Sequence, residues 1–96
     1  MAKQYAVIGL GRFGTSVART LSRLGQEVLA IDTDEERLKY VADDVTHTLV
    51  ADTTDVNVLK SIGIKNFDVV VVAIGENVQS NIMTTLLLKE LGVPFV

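Results

Sequence analysis

The chain has 96 residues, of which 48% are hydrophobic and 22% are charged, so it is long enough for one small globular domain and too apolar for a disordered segment. Its net charge of −3 argues against a nucleic-acid-binding surface, which is normally basic. It has no cysteine, hence no thiolate metal site, and no apolar run long enough to cross a bilayer. We therefore expect a cytoplasmic domain that inserts into no membrane, binds no nucleic acid and holds no metal.

Short apolar runs alternate with amphipathic segments along the whole chain. The pattern predicts strands over residues 4–8, 27–31, 46–51 and 68–74, and helices over residues 13–24, 33–44, 55–62 and 77–91. Gly25, Gly63 and Gly92 stand where three of these helices are expected to end. This alternation is typical of a parallel sheet whose strands are linked by crossover helices.

The apolar positions of the helices predict which faces are buried. Thr33 and Glu36 have the spacing of a capping box, which places the start of the second helix at Thr33. In the first three helices we expect an inward-facing set that consists of Phe13, Val17, Leu21, Leu24, Leu38, Val41, Ala42, Val56, Leu59 and Ile62.

The fourth predicted strand indicates how the layers are arranged. Residues 69–74 form an uninterrupted apolar, mostly β-branched run, which is typical of a central parallel strand covered on both faces. We therefore predict an α/β, Rossmann-like, doubly wound parallel sheet of order 3-2-1-4-5. Residues 94–96 would begin strand five, so we expect residues 1–96 to be the nucleotide-binding lobe of a longer protein.

The most informative motif lies directly after the first predicted strand. Residues 9–14 read Gly-Leu-Gly-Arg-Phe-Gly, and Asp32 closes the second strand eighteen residues after the last glycine. This is a complete dinucleotide-binding fingerprint, in which Gly9 permits a tight turn, Gly11 lets backbone amides approach a diphosphate and Gly14 lets helix and strand pack closely. The sequence therefore predicts a phosphate-binding turn that includes Phe13.

Two charged residues of this region bear on which nucleotide fits. Arg12 offers a bidentate contact to a diphosphate or to a third phosphate, and a solvated surface arginine is the alternative. Asp32 accepts hydrogen bonds from both ribose hydroxyls, and its charge repels a 2′-phosphate, so NADP is disfavoured. The alternative role for Asp32, a helix cap, belongs more naturally to Asp34.

The turn after strand three supplies further polar groups. Asp52 and Thr53 are placed to meet an adenine edge, while Thr54 or Asp55 caps the following helix. Helix capping by itself accounts for half of the polar residues in this turn, without any ligand.

The turn after strand four is the last part of the predicted site. Gly75 permits a close approach of the chain, and Glu76 would lie opposite the far half of a dinucleotide, beside Asn77 as a helix cap. His47, the only histidine, has no partner for a metal site, and we expect a structural role for it.

Four segments together resemble the N-terminal lobe of RCK domains, also called KTN or TrkA-N domains. They are residues 6–14 with the glycine turn, residues 28–32, residues 51–55 and residues 73–77, and helix residues 84–91 add to the likeness. Such domains are cytosolic gating subunits of Trk- and Ktr-type potassium transporters and of some potassium channels. The likeness covers essentially the whole chain.

The resemblance implies regulation and not catalysis, so no catalytic residue is expected. Domains of this family bind ATP, ADP, NAD or NADH and form rings against a membrane-embedded pore subunit. The resemblance thus implies a homo-oligomer, from a dimer to an octameric ring in the longer protein, held at the inner face of the cell membrane by its partner. The glycine turn would hold phosphates, Arg12 would meet the terminal phosphates within one chain or across a dimer, Asp32 would hold the ribose, and Asp52 with Thr53 would flank adenine.

Two departures from the family and two other classes of protein remain. Ala51 stands where the family usually has a glycine, and the family's crossover helix and C-terminal lobe lie beyond Val96.

An NAD-dependent dehydrogenase shares the glycine turn and the acid, although no residue here is an evident acid or base for hydride transfer. A methyltransferase that uses S-adenosylmethionine is disfavoured by the diphosphate-suited turn. An open fifth strand predicts self-association.

Overall fold

The computed structural model describes residues 3–75 and 77–96, in which strands and helices alternate as the sequence predicts. A short 3₁₀ helix (Ile64–Asn66) separates the third helix from the fourth strand. The other elements, in chain order, are β1 (Gln4–Ile8), α1 (Arg12–Arg23), β2 (Glu27–Asp32), α2 (Glu35–Lys39), β3 (His47–Val50), α3 (Val56–Ile62), β4 (Val69–Val72) and α4 (Val78–Glu90).

The strands form one parallel sheet of order β3-β2-β1-β4, which confirms the predicted order for the first four strands. In the register of the sheet, Tyr5 lies opposite Val28 on one side and Val69 on the other. The predicted fifth strand is represented by a single parallel bridge, which joins Phe95 to Val69 on the side of β4 that faces away from β1. Because all strands are parallel, their carboxyl ends meet at one edge of the sheet.

Helices cover both faces of this sheet, and each face has its own buried cluster. One cluster is built with α1 and α2 and the other with α3 and α4, which confirms the doubly wound architecture. The first consists of Val7, Leu10, Ala18, Val28, Ala30, Leu38 and Val41. The second consists of Ala6, Ile8, Ile31, Leu59, Ile64, Val70, Leu88 and Val93.

Strand β4 packs on both faces but is less covered than predicted. Val70 and Val72 belong to one cluster and Val71 packs against the other, as expected for a strand between two helix layers. Only Val70 is fully buried, however, and Val69, Val71 and Val72 are half-buried. Both faces are thus covered as predicted, but the strand is not fully buried, because only Phe95 pairs with its outer side in the described residues.

The buried face of α1 also differs from the prediction. Phe13 and Leu24 are each 68% exposed, whereas Gly14 and Ala18 are buried. Val17 and Leu21 pack partly against the core as expected. Because successive helix residues are about 100° apart, the close contact made through Gly14 turns its neighbour Phe13 away from the sheet.

Helix α2 starts one residue later than the predicted capping box. Its N-cap is Asp34, whose side chain accepts a hydrogen bond from the Glu36 backbone N–H at 2.9 Å. The predicted cap, Thr33, makes no such bond and is exposed. An aspartate at this place is also favoured by the positive end of the helix dipole.

The same helix ends at Lys39 and not at residue 44 as predicted. Hydrogen bonds from Val41 N–H to the Leu38 carbonyl and from Asp44 N–H to the Val41 carbonyl tighten the chain into turns that lead to β3. Leu38 and Val41 are buried as expected, but Ala42 is exposed because the regular helical repeat has ended before it.

Polar caps fix the ends of α3 and α4. Asp55, one of the two caps predicted, accepts a hydrogen bond from Asn57 N–H at 2.9 Å, and Asn77 accepts one from Ser80 N–H at 3.0 Å. Gly63 closes α3 with a φ of +74°. Because α3 follows β3 and α4 follows β4, both helices begin at the edge of the sheet where the carboxyl ends of the strands lie.

Candidate nucleotide-binding site

The glycine turn after β1 is packed so closely that two of its glycines leave no room for a side chain. Gly9 has a φ of +94°, and a Cβ placed on it would lie 2.5 Å from the Ala73 carbonyl oxygen. A Cβ on Gly14 would lie 1.8 Å from the Gly9 carbonyl oxygen. The turn is thus wedged between the first turn of α1 and the loop after β4, the packing that the fingerprint predicts.

Gly11 differs from these two because it faces open space. It is the N-cap of α1, has no side-chain hydrogen bond, and a Cβ on it would meet no heavy atom within 4 Å. The first amides of an α-helix have no acceptor within the helix, and the helix dipole makes this end positive. The backbone N–H groups of residues 12–14 therefore form an uncapped site suited to an anion.

Asp32 lies at the carboxyl end of β2 and holds the turn in place. Its Oδ2 accepts a hydrogen bond from Leu10 N–H at 2.8 Å, and its Oδ1 accepts one from Asp34 N–H at 2.9 Å. The residue is only 8% exposed. Each carboxylate oxygen has a further lone pair, so this arrangement leaves acceptors for two ribose hydroxyls.

The turn after β3 separates its two predicted site residues. Asp52 is exposed, and its Oδ1 accepts hydrogen bonds from the hydroxyl and the backbone N–H of Thr54 at 2.6 and 2.9 Å. These two bonds, the hydroxyl first, lower the pKa of Asp52 below its usual 3.8. Thr53 is instead 4% exposed, and its hydroxyl lies 3.1 Å from that of Thr84 on α4.

A cleft of about 320 Å³, the strand-end cleft, opens where the four strands end. Asn81 Oδ1 fixes its far wall by accepting a hydrogen bond from Ile74 N–H at 3.2 Å. Glu76, also predicted here, lies outside the described residues. The cleft brings together five of the predicted site residues, namely Gly9, Asp32, Asp52, Thr53 and Gly75, and it is also lined by Ala51, Asn77 and Arg37.

Gly11 and Arg12 line a neighbouring depression of about 560 Å³ between α1 and α2. We call it the arginine groove, and its arginines are Arg12, Arg19, Arg23 and Arg37. Arg19 is anchored there, because its Nε lies 2.9 Å from Asp44 Oδ2 and its guanidinium donates to the Tyr40 carbonyl. Phe13 and Gly14 are not among the lining residues of either depression.

Arg37 is the residue of this region that the sequence did not reveal. Its guanidinium lies 3.9 Å from Asp32 Oδ2 and 3.9 Å from Asp34 Oδ2, and its side chain is 41% exposed. Among the described residues, it lines both the cleft and the groove. Its position in α2, five residues after Asp32, was the available signal.

Within residues 3–75 and 77–96, no three His, Asp or Glu side chains are grouped so that they could hold a metal ion. No helix of that part is long and apolar enough to cross a membrane.

The parallel sheet of order 3-2-1-4, the uncapped glycine turn and the buried acid after β2 define a Rossmann-type domain of the class that binds nucleotides at the strand ends. The family model of the TrkA-N domain matches residues 5–94. The chain therefore belongs to the TrkA-N domain family, and the resemblance drawn from its motifs is confirmed.

Curated relatives carry names from potassium uptake systems. The chain is 55% identical over 93 residues to the Ktr system potassium uptake protein C of Bacillus subtilis and 54% identical over 92 residues to the Ktr system potassium uptake protein A of the same organism. It is 43% identical to the Ktr system potassium uptake protein A of Vibrio alginolyticus. These matches cover 97%, 96% and 98% of the chain but only 42%, 41% and 43% of the relatives.

Solved structures confirm the fold. The NAD(P)-binding domain of an exopolyphosphatase-related protein from Archaeoglobus fulgidus is similar with a TM-score of 0.80 and 26% identity, over 93% of this chain and 66% of that one. A 3-hydroxyacyl-CoA dehydrogenase from the same organism has a TM-score of 0.68 at 18% identity, over 97% of this chain and 32% of that one. The second likeness concerns the fold alone.

Proposed function

We propose that this chain is the nucleotide-sensing part of a regulatory subunit of a potassium uptake system. Its relatives are named as potassium uptake proteins, and one similar structure is named as an NAD(P)-binding domain. The observation that carries the nucleotide part is the uncapped N-terminus of α1 at Gly11, adjacent to the buried carboxylate of Asp32. The proposed ligands are ATP and ADP or NAD and NADH, and not NADP.

The residues present fit such a ligand. The strand-end cleft, at about 320 Å³, lies within the usual size range of small-molecule sites. In the proposed pose, Asp32 accepts the ribose hydroxyls, the amides of residues 12–14 bind phosphate, and Asp52 with Thr53 borders the base. Gly75 borders the far half of a dinucleotide, where the sequence also predicts Glu76. A 2′-phosphate is repelled by the negative charge of Asp32.

Arg12 is the residue proposed to distinguish ligands by charge. It is exposed at the start of α1, and no ion pair or hydrogen bond of its side chain occurs within the described residues. A triphosphate carries more charge than a diphosphate, so Arg12 gives the two a difference in binding free energy. Only such a difference can shift the population of two conformations of a ring and so control a membrane pore subunit.

Assembly of the subunit is a further part of the proposal. One side of α4 exposes an apolar stripe at i, i+4 and i+8, in which Val78 is 70%, Ile82 56% and Leu86 56% exposed. Contiguous exposed apolar surface of this kind marks interaction sites. We propose a homo-oligomer, from a dimer to an octameric ring in the longer protein, held at the cytoplasmic face of the membrane by the pore subunit.

A sedimentation experiment tests self-association. Ile82→Glu should reduce the self-association of this chain at high concentration, because it places a charge within the stripe. Leu24→Glu is the matched control, since Leu24, the C-cap of α1, is 68% exposed and lies outside the stripe. A strictly monomeric native chain would overturn this part of the proposal.

Calorimetric titration with ATP, ADP, NAD, NADH and NADPH tests ligand binding. We expect ATP and ADP, or NAD and NADH, to bind and NADPH to be rejected. Arg12→Ala should bring the ATP and ADP affinities closer together, with Arg23→Ala, on the same helix, as the control of equal charge. An unchanged affinity ratio in Arg12→Ala would rule out the sensing mechanism, and silence towards all five ligands would rule out the nucleotide site.

The competing function is the cofactor-binding part of an NAD-dependent oxidoreductase, a class that shares the glycine turn and the acid after β2. It predicts binding of NAD or NADH only, and nicotinamide-dependent turnover by the full-length protein. The regulatory function instead predicts that substitutions at Arg12 in the full-length subunit change potassium uptake in cells that also produce its pore subunit, with no turnover of nicotinamide.

A further inference from the structure

All the arginines of this chain lie in one place. The sequence has four, and the described lining of the arginine groove contains all four of them and none of the five lysines. That lining has no acid, although the chain as a whole has a net charge of −3. The strand-end cleft beside it has the opposite character, with three aspartates in its lining. The groove is therefore a basic surface on an acidic domain.

Three of these arginines form a row along α1. Arg19 follows Arg12 by seven residues and Arg23 follows Arg19 by four. At 100° per residue, all three lie within about 40° of one another around the helix axis, and they are about 10 Å and about 6 Å apart along it. The row thus continues along α1 away from the glycine turn, where nucleotide phosphates are proposed to bind.

The arginines of this row are available to a partner. Arg12 and Arg23 are exposed, and neither side chain makes an ion pair or a hydrogen bond within the described residues. Arg19 shows which group the row accepts, because its Nε lies 2.9 Å from Oδ2 of Asp44. Its guanidinium also donates to the Tyr40 carbonyl at 2.8 Å, which fixes its direction. The middle of the row therefore already holds a carboxylate.

We propose that the arginine groove binds an extended acidic segment of a partner protein, with Glu or Asp at alternate positions. Alternate side chains of an extended chain point the same way and repeat about every 7 Å, which brings successive carboxylates within reach of Arg23, Arg19 and Arg12. Arginine binds a carboxylate through two parallel hydrogen bonds, which lysine cannot do. The inference goes beyond the proposed function, since Arg19 and Arg23 have no part in the proposed nucleotide pose.

A protein segment fits the groove better than a lipid surface does. The groove is a depression of about 560 Å³ between α1 and α2, which a narrow chain can enter and the flat surface of a bilayer cannot. Anionic lipids would also be repelled by Asp44 beside the row and by the net charge of −3. A short segment meets only the local field of the arginines.

Fluorescence anisotropy with a labelled peptide, Glu-Ser-Glu-Ser-Glu-Ser-Glu, tests the groove at low ionic strength. Arg23→Glu should weaken binding by about fivefold or more, because it removes one ion pair and adds a repulsion. Lys89→Glu is the matched control, since Lys89 is exposed in the last turn of α4 and the change of charge is the same. It should weaken binding by less than about twofold, because the charge is distant and screened.

Asp44→Asn provides a second measurement, in which the expected result is a gain. It releases Arg19 from its ion pair and removes a carboxylate that the segment would face, so the peptide should bind about two- to fivefold more tightly. Glu90→Gln, an exposed acid on α4, removes the same charge and should leave the affinity unchanged. A loss of folding cannot produce a tighter complex, so the gain separates binding from stability.

The inference is overturned if the native chain does not bind the peptide, if Arg23→Glu and Lys89→Glu weaken binding equally, or if Asp44→Asn produces no gain. Sedimentation of the chain with and without phosphatidylglycerol vesicles identifies the other occupants. If the peptide does not bind and Arg23→Glu abolishes vesicle binding, the groove serves a lipid surface. If Arg23→Glu instead abolishes self-association, the occupant is a second copy of this chain.

Discussion

The backbone N–H of Leu10 donates a hydrogen bond of 2.8 Å to Oδ2 of Asp32, and both residues are buried. The acid at the end of β2 therefore has a structural role before any ligand arrives, since it fixes the peptide between the first two glycines of the turn. Its carboxylate is at the same time a wall of the strand-end cleft. A change at Asp32 consequently affects folding and binding together, and the two effects need separate measurements.

Asp32→Ala should lower the free energy of unfolding by about 1–3 kcal/mol, because it leaves the buried Leu10 N–H without an acceptor. Asp32→Asn, which keeps an acceptor oxygen, should cost less. Urea unfolding followed by circular dichroism measures both. Asp44→Ala, which removes an exposed ion pair with Arg19, should cost at most about 1 kcal/mol. A cost of Asp32→Ala no larger than that of Asp44→Ala would contradict the structural role.

Gly14→Ala should destabilise the fold by about 3 kcal/mol or more, because the new Cβ would lie 1.8 Å from the Gly9 carbonyl oxygen. That oxygen belongs to the backbone and cannot move aside as a flexible side chain would. Gly11→Ala is the matched substitution, since its Cβ meets nothing within 4 Å. It should cost at most about 1 kcal/mol of stability while weakening nucleotide binding. Thermal unfolding and titration of the two variants check this pair, and equal destabilisation would be inconsistent with the packing.

The Thr53 and Thr84 hydroxyls should show strong energetic coupling. Thr84→Val alone should cost about 1–3 kcal/mol, because it leaves the buried hydroxyl of Thr53 without a partner. The double variant, Thr53→Val with Thr84→Val, should cost much less than the sum of the two single changes. A double-mutant cycle in urea gives the coupling energy, and strict additivity would show that the contact contributes nothing.

The hydroxyl of Thr54 should set the acidity of Asp52. Its hydrogen bond is the main cause of the lowered pKa of Asp52, so Thr54→Val should raise that pKa towards the usual 3.8. Since the folded-state pKa is depressed, the stabilisation is fully present above about pH 4 and is lost as the pH falls through the lowered value. Carboxyl-carbon NMR titration measures the shift. Thr20→Val, on the exposed side of α1, should leave the Asp52 titration unchanged.

Local sequence patterns predicted the elements of this protein well, because strand and helix periodicity, glycine stops and polar caps act over only a few residues. The two clearest errors lay at α1 and α2. The exposure of Phe13 follows from the approach of Gly14 to the Gly9 carbonyl, a tertiary contact that periodicity does not contain. The early end of α2 follows from turns that lead the chain into β3.

In the candidate site, too, some features could be predicted from the sequence and others depend on the tertiary structure. The sequence by itself determined the glycine turn and the acid after β2, because both are fixed by spacing along adjacent segments. Only the tertiary structure decided that Asp32 is bound to Leu10, that Thr53 is turned into the core against Thr84, and that Arg37 stands between two depressions of opposite charge. These relationships join residues from different elements, and packing of the helices on the sheet brings them together.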